Sequence, residues 1–120
     1  LYVNKWGGDN KGGTFVFDVN PDGTLSNMRK LTDWGGDGMS MDDRENIYIS
    51  NGEGLMAFDK NGNNILRIPT GGGATNNVFA GKNNKLLIIT GGGLTSPPWP
   101  FNQDRLMSVM MKNVKGVEKF

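Results

Sequence analysis

Short strand-like segments recur along this chain at a spacing of about 40 residues, and this repeat limits the fold more than any other feature. The Phe-Asp pair at Phe17 returns at Phe58, and the β-branched run that begins at Ile47 returns at Leu87. Residues 1–4 are a third copy of the run that begins at Ile47. Such runs favour strands, and a repeat of this length built from short strands is typical of β-propeller blades.

We therefore predict an all-β fold of β-propeller blades, each a four-stranded antiparallel sheet, with fewer than three blades in residues 1–120. A complete blade is predicted over 37–69. Residues 1–31 supply the second to fourth strands of the blade before it, and 75–111 the first three strands of the blade after it. The tail 112–120 adds an outer strand or joins a neighbour. The predicted strands cover 14–18, 38–42, 46–50, 54–59, 64–68, 76–80, 85–90 and 105–111.

This single partial propeller would leave blade faces uncovered at both ends. Stacked repeats bury their apolar faces only against one another, so we expect the missing propeller blades or another chain as partner. Within the repeat, residues 38–41 match residues 77–80, which aligns the predicted inner strands of two blades.

The segment 18–23 has the spacing of oxygen-bearing side chains that opens an EF-hand calcium loop. The twelfth position of such a loop requires a Glu, whereas this chain has Arg29 there. A strand-like run also precedes the segment where the motif requires a helix. We interpret the segment as the hairpin between the third and fourth strands of a blade, in which Gly23 supplies a positive φ.

The types of side chain present exclude several kinds of chemistry. The chain has no Cys and no His, which excludes disulfides, Cys nucleophiles, Ser-His-Asp triads and zinc sites built on thiolate or imidazole. With 13 basic and 12 acidic residues, the net charge of +1 gives no reason to expect nucleic acid or a membrane surface as partner. The absence of Cys is compatible with either side of a membrane, so it does not indicate a compartment.

Residues 35–90 resemble the C-terminal part of the SMP-30/gluconolactonase/LRE-like family, and the resemblance extends over nearly the whole chain. It is most specific at Asp37-Gly38-Met39, which is followed by an acidic turn and the run 46–50. The family usually has Pro before this Asp, where the chain has Gly36. The resemblance implies a six-bladed propeller that hydrolyses lactones or related esters with one divalent metal ion. We expect the chain to be a C-terminal part of such a protein.

By the same resemblance, Asp37 is a metal ligand and the catalytic general base. Without the resemblance, Asp37 would read as an ordinary Asp-Gly turn residue. The ion we expect is Ca²⁺, with Zn²⁺, Mg²⁺ or Mn²⁺ as alternatives. Ca²⁺ takes about 6–8 oxygen ligands. The family's other main ligands, a Glu and an Asn, have no counterpart in this sequence, so the metal site is incomplete in it.

Three further residues are candidates for substrate binding. Thr75 and Asn76 begin the next inner strand at the place that Asp37 occupies in its own, and Asn51 follows a second strand. The long loops 4–13 and 91–104 are predicted on the same face, toward which we expect the Asp37 carboxylate to point. The alternative is that these polar side chains only satisfy backbone groups in loops.

Two functions follow from these observations. The first is a metal-dependent hydrolase whose partner is a small-molecule lactone or ester. The second is a non-catalytic propeller module for binding or assembly, because propellers host both roles.

Overall fold

The computed structural model describes residues 1–6, 12–70, 72–92 and 104–117. The strands are β1 Tyr2–Lys5, β2 Gly13–Val19, β3 Leu25–Thr32, β4 Met39–Met41, β5 Ile47–Asn51, β6 Gly54–Phe58, β7 Asn64–Ile68, β8 Asn76–Ala80, β9 Leu86–Gly92 and β10 Asp104–Met110. Each predicted strand is present, with ends that differ by at most two residues. No helix occurs in the described ranges, and none of their segments forms a helix that could cross a membrane.

The strands form three separate antiparallel sheets of consecutive strands. The middle sheet has four strands in the order β4-β5-β6-β7. The first sheet contains β1-β2-β3, and the third contains β10-β9-β8. The prediction of a partial propeller with fewer than three four-stranded blades is confirmed.

The middle sheet is covered on both faces, which explains why its central strands are not alternately polar and apolar. Every residue of β5 and β6 is buried. On one face Tyr48 packs edge-to-face on Phe79 of the third sheet, with ring centroids 5.0 Å apart. On the other face Ile49 and Met56 belong to a cluster that contacts Tyr2 of the first sheet. Apolar burial on two faces is the main force that holds the three sheets together.

The hairpin prediction for residues 18–23 is confirmed. Gly23 and Gly62 each have a φ of 84°, and their N–H groups donate to the carbonyls of Asn20 and Asp59, both at 2.9 Å. Asp18 accepts hydrogen bonds from Asn27 and Arg29 at 3.0 Å, and these two bonds lower the pKa of its carboxyl group. The carboxylate is thus engaged within the hairpin, which matches a turn and not a calcium loop.

One detail of the repeat was wrong by a residue. In the strand register, Met39 pairs with Ile49 and Asn77 pairs with Ile89. Because Ile49 and Ile89 are equivalent positions of the second strands, Met39 corresponds to Asn77, not to Val78. The match of residues 38–41 to residues 77–80 was based on residue types alone. The equivalence of positions is set by strand pairing, which the residue types do not determine to the residue.

A buried carboxylate closes the turn between β4 and β5. Asp42 is 0% exposed and accepts hydrogen bonds from the Tyr48 hydroxyl at 2.9 Å and from the side chain of Asn46 at 2.8 Å. It also accepts the backbone N–H groups of Arg44 and Asn46. Burial and the bond to Asp42 raise the pKa of the Tyr48 hydroxyl. The turn is therefore fixed to the core by its own side chain.

Residues 111–117 form hydrogen bonds with both the middle sheet and the third sheet at their turns. The backbones of Asp43 and Lys115 are joined by a hydrogen bond of 2.8 Å, and Gly116 donates to Asn84 at 2.8 Å. Val117 N–H donates to the Met41 carbonyl at 3.2 Å. Of the two predicted alternatives, the described part of the tail joins a neighbouring sheet.

Candidate functional site

Asp37 lies at the start of the inner strand of the middle sheet. Its N–H donates to the Ser50 carbonyl at 3.0 Å, and its side chain is exposed. Thr75 makes the same bond one sheet further on, from its N–H to the Thr90 carbonyl at 2.8 Å. The two residues are therefore equivalent in the backbone, in line with the repeat.

Two glycines hold the backbone on either side of Asp37. A Cβ atom built on Gly36 would lie 1.9 Å from the Ser50 carbonyl oxygen. One built on Gly38 would lie 2.5 Å from the Cα of Asn76. The main chain on either side of Asp37 thus packs directly on β5 and on the start of β8. These contacts fix the backbone of Asp37, whose side chain is exposed.

The other candidate residues lie on segments that meet the same region. Asn51 is 7% exposed, and its carbonyl accepts the Ala74 N–H at 2.8 Å. Its side-chain oxygen accepts the Glu53 N–H at 2.9 Å, whereas its Nδ2 is buried without a hydrogen-bond partner in the described ranges. A buried donor without a partner costs free energy, so Asn51 lies at this position at some expense to stability.

Thr75 and Asn76 are exposed and make local contacts. The Thr75 hydroxyl lies 3.2 Å from the Thr90 hydroxyl. The Asn76 side-chain oxygen accepts the N–H of Asn77 at 2.8 Å. The structure brings the backbone of Asn76 against Gly38 and that of Asn51 against Ala74. The substrate-binding roles of these residues stay predictions.

An open cleft of about 720 Å³ between the first and middle sheets was not predicted. Its lining includes two tryptophans, three charged side chains and one amide: Trp6, Trp34, Lys5, Asp33, Glu53 and Asn51. Trp6 is 71% exposed, and Glu53 pairs with Arg67 at 2.7 Å. A signal was present in the sequence, since both tryptophans are followed by Gly-Gly in loops of the predicted functional face.

The described residues do not fit a metal ion by themselves. Among them, no three acidic side chains come close enough together to hold one. Asp37 offers a single carboxylate, and the orphaned Asn51 atom is a donor, which a cation cannot use.

We expect Gly36→Ala to destabilise the chain by about 1–3 kcal/mol, because the added methyl group would overlap the Ser50 carbonyl. The matched control is Gly52→Ala, since a Cβ there has nothing within 4 Å. Urea unfolding of both variants checks the prediction. Equal unfolding midpoints for the two would contradict the close contact at Gly36.

Comparison with known proteins was made by sequence and by structure. No protein-family model and no curated protein matches the sequence. Among solved structures, a luciferin-regenerating enzyme is similar with a TM-score of 0.70 and 19% identity, over 96% of this chain and 43% of that one. A gluconolactonase from Xanthomonas campestris is similar with a TM-score of 0.63 and 26% identity, over 76% of this chain and 31% of that one.

The chain has the fold of the SMP-30/gluconolactonase/LRE-like propellers. The resemblance inferred from Asp37-Gly38-Met39 is thus confirmed at the level of fold. The SMP-30/gluconolactonase/LRE-like similarity is partial in length, because the chain spans less than half of each of these two solved structures.

Proposed function

We propose that this chain is part of a hydrolase that opens lactones or related esters. The observation that carries the proposal is the exposed carboxylate of Asp37, held at the start of an inner strand in a fold shared with a gluconolactonase. A carboxylate on a fixed backbone suits a general base, since proton transfer requires a defined position relative to water.

In the proposed reaction, Asp37 accepts a proton from a water molecule while the water oxygen adds to the lactone carbonyl carbon. The ring C–O bond then breaks, and the proton passes from Asp37 to the leaving oxygen, which gives the hydroxy acid. Atoms balance, because one water is consumed for each ring opened.

The cleft beside Asn51 has room for a small polar substrate, and Gly35 in its lining lies two residues before Asp37. Its two tryptophans offer flat apolar faces, while Lys5, Asp33 and Glu53 offer charged contacts. Sites for small ligands combine these two kinds of surface. We propose that Asn51, Thr75 and Asn76 contact the substrate from this face.

The proposal includes a divalent ion, with Ca²⁺ preferred for its oxygen ligands and Zn²⁺, Mg²⁺ or Mn²⁺ as alternatives. Residues other than those described would complete the set of ligands around this ion. Asp37 would contribute one carboxylate. We assign no step of the reaction to the ion.

The test is hydrolysis of D-glucono-1,5-lactone and of simple aryl esters by the native protein that carries these residues. Each of the four ions is added in turn, and a chelator is added in a parallel series. Hydrolysis above the spontaneous rate is expected. No acceleration with any substrate or ion would reject the proposal and favour the second function, a module for binding or assembly.

A further inference from the structure

Two segments with the pattern Lys-Asn-x-Lys lie side by side in the structure, although they are far apart in the sequence. The first, 82–85, lies in the turn between β8 and β9, and the second, 112–115, follows β10. The N–H groups just before and just after the second segment donate to the carbonyls of Lys85 and Asn84, at 2.7 Å and 2.8 Å. The second segment is thus fixed to the first at both of its ends.

These two segments and the turn at Asp43 line an open cleft of about 790 Å³. The lining contains three lysines and one carboxylate, which are Lys82, Lys85, Lys115 and Asp43. A fourth lysine, Lys112, lies beside the cleft, because the Lys85 Nζ donates to its carbonyl at 3.5 Å. The backbone N–H of Asp43 donates to the Lys115 carbonyl at 2.8 Å, so all three segments are joined by main-chain bonds. This lysine cleft therefore carries a net positive charge on a fixed backbone.

The positive charges of the lysine cleft are not balanced by ion pairs. In the described ranges, the ion pairs are Arg29–Asp18, Lys30–Asp33 and Arg67–Glu53. The lysines of the cleft belong to none of these pairs. The Asp43 carboxylate accepts the backbone N–H of Lys115 at 3.2 Å, and it is the one acidic group against three lysines in the described lining. A cleft lined by charges of one sign concentrates counter-ions of the other sign.

The corresponding turn of the middle sheet carries the opposite charge. Residues 42–46, between β4 and β5, include three acidic residues and one basic residue, whereas 81–85 include two lysines and no acidic residue. The backbones of the two turns are alike, since Glu45 and Asn84 both have a positive φ, of 64° and 49°. Each of these residues also donates its N–H to the carbonyl three residues before it. A turn of this shape therefore does not require lysine, and the fold alone does not explain the charge.

The lining of the lysine cleft indicates a small anion as ligand. Among the described residues that line it, none is aromatic, and Val117 is the one large apolar side chain. Stacking on nucleic-acid bases and insertion into a bilayer therefore lack the side chains that they usually require. A lysine ammonium group binds phosphate as a point charge with three donors. The volume also lies within the range of about 300–1,000 Å³ that small-ligand sites occupy.

We propose that the lysine cleft binds a small anion with two or more linked phosphate groups. Lys82, Lys85 and Lys115 donate to the phosphate oxygens. A single phosphate group carries only about two negative charges, so linked phosphates are needed to balance three ammonium groups. Asp37 precedes β4 and the turn at Asp43 follows it, so the cleft and the candidate catalytic residue lie at opposite ends of this strand. The inference concerns binding alone and does not depend on the proposed hydrolase activity.

The test is isothermal titration calorimetry of sodium tripolyphosphate into the native protein that carries these residues. A chelator is present throughout, so that no metal ion carries the phosphate to another site. We expect saturable binding that is about tenfold tighter than the binding of orthophosphate, because more ammonium contacts form. Added NaCl is expected to weaken the binding, because salt screens exposed charges. The absence of saturable binding would overturn the proposal.

The variant that tests the location is the double substitution Lys82→Gln with Lys115→Gln. It is expected to weaken tripolyphosphate binding about tenfold, since two exposed charge contacts are lost. The control is Lys60→Gln with Arg29→Gln, which changes the net charge by the same amount at exposed positions outside the cleft. This control is expected to leave the binding unchanged. Equal weakening by the two variants would show that only the net charge matters, which would overturn the site.

A second readout uses the unaltered protein, so it does not depend on how a variant folds. An amine-reactive acetylating reagent is applied, and the labelled lysines are identified by mass spectrometry. Tripolyphosphate is expected to slow the acetylation of Lys82, Lys85 and Lys115 but not that of Lys60. The same labelling with and without tripolyphosphate would contradict the proposal. Phosphatidylserine vesicles and single-stranded DNA are tested in the same way, and protection by either of them but not by tripolyphosphate would overturn the small ligand in favour of a macromolecular surface.

Discussion

Asp37→Asn is expected to lower lactone hydrolysis roughly 10²–10⁴-fold, the usual cost of losing a general base. Asn has nearly the same shape, and the backbone N–H of residue 37 still reaches the Ser50 carbonyl, so the fold is expected to be retained. The measurement is kcat/KM for D-glucono-1,5-lactone in the native protein that carries these residues, with and without each divalent ion.

The matched control for this variant is Asp22→Asn. Asp22 is also an exposed carboxylate, but it bonds to Thr24 within the hairpin turn between β2 and β3. This substitution is expected to leave hydrolysis unchanged. Equal kcat/KM for Asp37→Asn and the unaltered protein would remove Asp37 from the mechanism. Unfolding midpoints measured for both proteins show whether the substitution also alters stability.

Asp42→Ala is expected to lower the free energy of unfolding by about 3 kcal/mol, because buried donors would lose their acceptor. The Tyr48 hydroxyl would lie in the core with no carboxylate to accept its hydrogen bond, and the N–H groups of Arg44 and Asn46 would lose their acceptor as well. Urea unfolding gives the free energy, provided that the transition is two-state.

A double-mutant cycle tests the cause of this loss. Tyr48→Phe removes the buried donor, so Asp42→Ala should cost less in the Tyr48→Phe background than alone. Asp43→Ala, beside it in the same turn but exposed, should cost under about 1 kcal/mol. Strict additivity of Asp42→Ala and Tyr48→Phe would show that the hydrogen bond between them contributes nothing.

The strands and turns could be predicted because their causes are local. β-branched and aromatic runs separated by polar turns specify strands such as β5 and β6, and Gly23 marks its turn through a positive φ. The repeat also placed Thr75 at the position equivalent to Asp37. Both predictions depend only on residue types and their spacing along the sequence.

Contacts between sheets could not be predicted, because they depend on register and on distance in space. The sequence predicts Asn77 within the strand 76–80, but it does not show that the Asn77 side chain is buried and bonds to Ser50 and Ser40 of the neighbouring sheet. The cleft formed by Trp6 and Trp34 likewise joins residues from separate loops. For the candidate site, the sequence indicated Asp37 through a resemblance, but not the close contacts of Gly36 and Gly38 that hold it.

The position of residues 111–117 has a consequence for the order of folding during synthesis. The turn at Asp43 is made early, but the chain segment that bonds to it, at Lys115, is 72 residues downstream. The hairpin of β4 and β5 forms from neighbouring residues, and the third sheet can pack on it through Phe79 and Asn77 as soon as β8 is made. The hydrogen bonds to residues 111–117 wait until that segment has left the ribosome. Contacts of such long sequence separation form slowly, and apolar surface stays open to misassembly in the interval. Residues 111–117 are thus a late contact that adds to the packing between the two sheets.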